Sequence, residues 1–438
     1  MKNYLWHPTG AAPVSESIME FLAGEDVLLD RELFPFDIQA TAAHVRGLAR
    51  IGILDEAESR QLVSLLEELR GDFEAGRFVL DERFEDGHSA IESFLTERAG
   101  DSGARVHTGR SRNDQVAVAT RLYLKDRLQR LAGLNGRIAR ACLETAERHA
   151  NLPMPGYTHM QRAVPSSVGL WIAAFAEAFT DNVVIAADAW QVVDCSPLGT
   201  AAGYGVNLPL DRDGVAAELG FGRVQINPMY AQNSRGKFEL LALQAALHSM
   251  HDLRRLAWDL SLFTTSEFDF VVLPREYTTG SSIMPNKSNP DVVELLRGRA
   301  ATVEAANAEI QSVLSLPSGY QRDLQLTKAP LIRGFRVALQ SLAIVPALVQ
   351  GMQFREDRMR EAISPEMFAT DWALEQAALG VPFRTAYRDA KLEPGTAQGM
   401  KPADSLARRV SPGGCANLML DRIRQRLEQQ LQRGGVGF

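Results

Sequence analysis

Cysteine is scarce in this chain. There are three in 438 residues, Cys142, Cys195 and Cys415, widely scattered and none in Cys-x-x-Cys spacing. That argues against a disulfide framework and against zinc, and predicts a reduced, cytoplasmic setting. A basic surplus is lacking as well: 47 Lys and Arg stand against 54 Asp and Glu, a net charge of -7. A nucleic-acid binder would normally be basic. No continuous apolar segment opens the chain, so no secretory leader is expected. No apolar run approaches the roughly 20 residues of a membrane span. Strand signals are weak and internal repeats are missing. There is no metal-ligand spacing, no Walker loop and no Rossmann fingerprint, so neither a metal nor a cofactor is expected.

What the chain does have is helical periodicity. From Lys237 to Phe263, apolar residues recur at Leu240, Leu243, Leu247, Met250, Leu253, Leu256 and Leu260, spaced by three and four along one helix face. Similar segments run over about 114–150, 166–193, 290–315 and 329–352. Five long helices joined by polar Gly/Pro loops predict an all-α protein with a central helical bundle. Trp171, Phe175, Phe179, Val184 and Ile185 make one of these helices apolar on more than one side. Such a helix must be buried more than once, which predicts self-association. Shorter broken helices on either side predict three helical domains, 1–110, 111–360 and 361–438, the middle one holding the bundle.

Polar clusters sit at the ends of the long helices. Gly280 to Pro290 reads GSSIMPNKSNP: two hydroxyls, a lysine and asparagines closing on Asn289-Pro290-Asp291. Asn as N-cap and Pro at the first helical position predict a helix start there, and a helix N-terminus favours an anion. His107 to Gln115, HTGRSRNDQ, places Arg110 and Arg112 around Ser111 and before Asn113. Arginine's planar fork suits bidentate carboxylate binding. Gly156 to Arg162 carries Thr158 and His159, a candidate proton carrier. Gly319 to Lys328 offers Tyr320, Arg322, Gln325 and Lys328, and Glu85 to Glu92 adds His88 among acids. Each cluster alone is compatible with a solvated helix end. Five cations at such loops of an acidic chain (Arg110, Arg112, Lys287, Arg322, Lys328) predict a ligand with more than one carboxylate.

Together these segments resemble a known family. GSSIMPNKSNP is similar to the signature loop of the fumarase/aspartase superfamily. HTGRSRNDQ, GYTHMQRAVP, LPSGYQRDLQ and the stretch from Ser364 to Ala386 resemble its argininosuccinate lyase branch. The resemblance spans about 21–387. It implies a homotetramer whose central helices form a core of about twenty, with each active site assembled from loops of three subunits. It implies cleavage of argininosuccinate to arginine and fumarate without metal or cofactor.

By the same resemblance the base is Ser281, although the residues alone do not separate it from Ser282. Lys287 and Asn289 would stabilise the carbanion, and His159 paired with Glu294 would help the leaving group. Ser111, Arg112, Asn113 and Thr158 would hold the fumarate-side carboxylates. Tyr320, Gln325 and Lys328 would hold the arginine side, with His88 nearby. Another fumarate-releasing lyase, of the adenylosuccinate lyase or fumarase type, and a crystallin-like structural homologue are the alternatives. Three segments depart from the pattern. Leu22 to Asp26 has a carboxylate where a small serine is usual. Gln232 to Phe238 replaces the usual Asp/Glu-Arg-Asp before Phe. The tail from about Leu392 is short.

Overall fold

The computed structural model describes residues 18, 21, 24–392 and 399–433. Of the departing segments, Leu22, Ala23 and the Pro394-Gly395 part of the tail lie outside the described residues. The secondary structure is almost entirely helical. In chain order come α1 (Asp26–Arg50), α2 (Glu56–Glu74), α3 (Gly87–Ala99) and the long α4 (Arg112–Arg148). A hairpin, β1 (Pro153–Thr158) with β2 (Gln161–Ser167), precedes α5 (Val168–Val193) and α6 (Lys237–Phe263). Next come β3 (Val271–Val272), β4 (Thr279–Gly280), β5 (Ser288–Asn289), α7 (Asp291–Val313), α8 (Lys328–Ala343) and β6 (Gln353–Phe354), before smaller helices end the chain.

The helix starts have local causes. Asp55 accepts from Ala57 N and Glu58 N at 2.8 Å, and Glu58 reaches back to Asp55 N at 2.9 Å, a capping box that opens α2. Asp86 and Ser89 form the equivalent reciprocal pair for α3. At α7 the expectation shifts by one residue. Asn289 lies in β5, opposite Thr279, and Pro290 supplies the carbonyl that Glu294 N bonds at 3.0 Å.

The chain divides into two compact units, the first 1–128, 188–244 and 305–335, the second 129–187, 245–304 and 336–438. In the first, Phe34, Ile38, Val45 and Leu48 of α1 bury against Leu62, Leu66 and Leu69 of α2 and Ile91 and Leu95 of α3. Phe34 packs edge-on to Phe73, ring centroids 4.9 Å apart. In the second, Met250, Leu253, Leu256 and Leu260 of α6 are fully buried, as the periodicity predicts.

Two helical stretches, Val168–Val193 and Arg322–Gly351, are long and apolar enough by length and composition to cross a membrane, which corrects the reading that none is. Glu177, Asp181 and Asp188 interrupt the first run in the sequence without lowering its mean hydropathy enough. About half of each window is buried in protein, 56% and 50%. The polar groups of α5 also bond inside its own unit: Trp171 Nε1 donates to Asp259 at 2.8 Å and Asn182 Nδ2 to Asp252 at 2.8 Å.

Candidate active site

The first unit holds a polar cavity of about 200 Å³. Its walls come from five places in the sequence: Asp26 and Asp30 of α1, Glu85 to His88 at the entry of α3, Arg112 and Asn113 at the start of α4, Arg235, and the Tyr320 to Lys328 segment leading into α8. Arg112, Asn113, Tyr320, Gln325, Lys328 and His88 were all expected at a site, and the fold gathers them here.

Asp114 fixes the entry of α4. Its carboxylate is completely buried and accepts from Ser111 N at 2.8 Å, Gly199 N at 3.0 Å and Ala201 N at 2.9 Å. Burial raises its pKa despite those three bonds. This clamp presents Asn113 and Arg112 to the cavity, with Ser111 Oγ accepting from Asn113 N at 3.3 Å. Arg110 departs from expectation. It is not among the residues lining the cavity, is half-buried, and donates from Nη1 to Thr41 Oγ1 at 3.0 Å.

The cavity is dense in charge. Lys328 is held between Asp26 at 2.7 Å and Asp30 at 2.6 Å. Burial works against its charge, but the two carboxylates outweigh it and raise its pKa further. Asp26 is itself pushed up, by burial first and by Asp30. Arg112 Nη1 lies 2.9 Å from Glu85 and 3.2 Å from Asp86. His88 Nδ1 lies 2.5 Å from Asp37 Oδ2. Burial lowers the His88 pKa, yet Asp37, Asp86 and Asp30 overcome it and bring it to about 9, so the ring is an imidazolium at neutral pH. His107 goes the other way, to about 4, through burial and the charges of Arg110 and Arg112.

Sequence reasoning left the acids out. Asp30 and Asp37 were not singled out, Glu85 and Asp86 were noted only as acids around His88, and Asp26 only as a departure. A signal was there. Asp26, Asp30, Asp37, Thr41 and His44 fall at helical spacing along α1, a polar stripe beside the buried apolar one of Leu33, Phe34, Ile38, Val45 and Leu48. Buried carboxylates on one stripe need counter-charges.

The second unit carries the remaining expected residues. Ser281 is half-buried just past β4, and its Oγ accepts from Met284 N at 3.0 Å and Ile283 N at 3.4 Å. Ser282 is exposed. Backbone N–H groups aimed at the Ser281 oxygen favour negative charge there. Lys287 is exposed and Asn289 lies in β5. Glu294, in the first turn of α7, has Arg297 at 3.8 Å. Thr158 and His159 are exposed at the tip of the β1–β2 hairpin, where Thr158 pairs with Gln161. His159 and Met160 both have positive φ, 52° and 59°, a two-residue hairpin turn built without Gly or Asn. Among the described residues, no hydrogen bond or ion pair links Ser281, Lys287, His159 and Glu294 to one another within the chain.

A general lyase family profile matches residues 19–304. The argininosuccinate lyase of Xanthomonas campestris pv. campestris (strain B100) is 57% identical over 429 residues, covering 98% of this chain and 99% of that protein. The chain belongs to the argininosuccinate lyase family. The enzyme of that name from Xylella fastidiosa (strain 9a5c) is 56% identical and covers 97% of this chain and 96% of its own length. As a member of the argininosuccinate lyases, the chain is a carbon–nitrogen lyase, acting on a small molecule. Among solved structures, EDDS lyase in complex with formate matches with a TM-score of 0.77 at 22% identity, covering 97% of this chain and 91% of that one. Class II fumarase from Schistosoma mansoni matches with 0.72 at 15% identity, covering 92% and 91%. At these identities the likeness shows the fold alone, and it is the all-α lyase fold.

Proposed function

We propose that the chain cleaves argininosuccinate to L-arginine and fumarate, in arginine biosynthesis. The observation that carries this reading is the cavity that brings Arg112, Asn113, Tyr320, Gln325 and Lys328 together, on a chain that matches argininosuccinate lyases from end to end.

The chemistry is an anti β-elimination. A base takes the proton from the succinyl carbon next to a carboxylate, leaving an aci-carboxylate carbanion. The electron pair then forms the fumarate double bond as the C–N bond breaks and the guanidino nitrogen leaves with its electrons. Ser281 is the base. Its oxygen already accepts two backbone N–H groups, and the cation of Lys287 on the same loop favours its ionised form. Lys287, Asn289 and the N-terminus of α7 meet the charge that builds on the carboxylate. His159, paired with Glu294 in the assembled enzyme, helps the nitrogen depart. Ser111, Arg112, Asn113 and Thr158 hold the fumarate-side carboxylates. Tyr320, Gln325 and Lys328 hold the arginine end. His88, charged and tied to Asp37, fixes the cavity's acidic wall. No cofactor or metal enters the scheme.

The assembly belongs to the proposal too. The enzyme is a cytoplasmic homotetramer whose sites take Ser281, His159 and the cavity residues from three different copies of the chain. Supporting this, Trp258 (51%), Leu295 (61%) and Val192 (45%) stand exposed on the long helices, where a neighbour would cover them. The three-domain division, 1–110, 111–360 and 361–438, is the arrangement that places those helices together in such a core.

The test is a substrate panel read as fumarate absorbance at 240 nm. Argininosuccinate should turn over with kcat/KM at least about 10³-fold above adenylosuccinate, malate or aspartate. Preference for any of these would reassign the substrate, and no turnover of any would leave only a structural role.

A further inference from the structure

Arg235 is 6% exposed, and its Nε and Nη1 are buried without a hydrogen-bond partner. The nearest carboxylate, Glu239 Oε1, lies 4.0 Å from Nε, outside hydrogen-bond reach. The side chain forms part of the cavity wall, with the guanidinium carbon 5.9 Å from the centre of the Tyr320 ring. The neighbouring cations of the cavity are engaged: Lys328 with Asp26 and Asp30, Arg112 with Glu85 and Asp86, and His88 with Asp37. Among the described residues lining the cavity, Arg235 is therefore the buried cation that lacks a hydrogen-bonded counter-charge. A buried guanidinium left so destabilises the fold, and an anion entering the cavity relieves that penalty.

The chain explains why the arginine stands at this position. The usual family pattern before Phe238 is Asp/Glu-Arg-Asp, and here the segment reads Ser234-Arg235-Gly236-Lys237. Gly236 has a φ of +80°, and a Cβ there would lie 2.1 Å from Leu314 Cδ2. Position 236 therefore resists a side chain, and the guanidinium comes from one residue earlier. Asp26 is the second departure from the pattern, and it lines the same cavity.

We infer that Arg235 binds the α-carboxylate of the substrate's arginine half, while Asp26 and Asp30, gathered around Lys328, receive its α-ammonium. The inference rests on the proposed reaction and says which groups recognise the amino-acid end. An arginine fork against a carboxylate is a strong, geometrically selective pair, and a carboxylate pair holding a single lysine has negative charge to spare for an ammonium.

The experiment compares wild type with Arg235→Gln and Arg235→Lys, using argininosuccinate cleavage and inhibition by arginine and by agmatine, which is arginine without the α-carboxylate. Arg235→Gln should raise KM for argininosuccinate about 30-fold or more with kcat within about threefold, the loss expected for one charged hydrogen-bonded partner. Inhibition by arginine should weaken until it matches agmatine, which the substitution leaves unchanged. Arg235→Lys should recover part of the preference for arginine. An Arg235→Gln enzyme that still prefers arginine over agmatine as wild type does would overturn the assignment. So would a fall in kcat and melting temperature with that preference intact, which marks a structural role. A wild type that releases no fumarate from argininosuccinate, yet binds arginine over agmatine through Arg235, would instead refute the proposed reaction alone.

Discussion

Ser281→Ala should reduce kcat for argininosuccinate by at least about 10³-fold while substrate still binds and the oligomer stays assembled. The proton on the succinyl carbon is weakly acidic, and its removal needs a base placed in line with the breaking C–N bond. Ser281 Oγ, the proposed base, accepts from Met284 N at 3.0 Å and Ile283 N at 3.4 Å. Those donors strengthen as the oxygen becomes an alkoxide, so they act on the charged form. Ser282 is exposed and turned to solvent, so Ser282→Ala should keep activity within about tenfold of wild type. Single-turnover fumarate release, with size-exclusion chromatography as the assembly control, checks both. An Ser281→Ala enzyme with more than a few per cent of wild-type turnover would remove Ser281 from the role of base.

Lys328→Met should be the most destabilising change at the cavity, by about 3–5 kcal/mol near neutral pH, the range seen when one partner of a buried ion pair is removed. Two carboxylates, Asp26 at 2.7 Å and Asp30 at 2.6 Å, then face each other in a buried place with no cation between them. The pH dependence has a definite sign. In the wild type the Lys328 pKa is raised above its ordinary value, so on the alkaline side its contribution is complete up to about pH 10.4 and is lost only above it. In the variant Asp26 loses the lysine that opposes its rise, while burial and Asp30 still push it upward. A folded state that binds protons more tightly than the unfolded chain gains stability as pH falls. The gap between wild type and variant should therefore be widest near pH 7–8 and narrow toward pH 5. Urea unfolding at fixed protein concentration measures it. A gap below about 1 kcal/mol, or one that widens on acidification, would contradict the ion-pair account.

How much of this was legible in the sequence depended on the kind of signal. The long helices were, because apolar spacing of three and four over more than twenty residues leaves few alternatives. Met250, Leu253, Leu256 and Leu260 are buried as that spacing requires. The hairpin at Pro153–Ser167 was not. Its turn uses His159 and Met160 at positive φ, so no Asn-Gly or Gly signature marks it, and it read as a loop before a helix. The motif residues Arg112, Asn113, Tyr320, Gln325 and Lys328 were legible as a group, and the fold lines one cavity with them. Their counter-charges were harder to see. Glu85 and Asp86 look like ordinary helix-entry acids until Arg112 is placed beside them. Arg235 was visible only as an irregularity. Its lack of a partner is a three-dimensional property, because neither spacing nor composition shows what fails to reach a guanidinium.

Two groups of residues emerge. The cavity in the first unit gathers Arg112, Asn113, Tyr320, Gln325 and Lys328, and the loop in the second unit carries Ser281, the proposed base. The proposed enzyme completes its sites from different copies of the chain, and mixing inactive variants tests this most directly. Ser281→Ala and Asn113→Ala enzymes, each nearly inactive alone, should regain activity when co-expressed and assembled together. With random mixing about one site in four draws both intact residues from suitable copies, so fumarate release from argininosuccinate should approach a quarter of the wild-type rate. Activity no greater than the sum of the two separate variants would show that one copy supplies both residues, and would contradict the shared-site account.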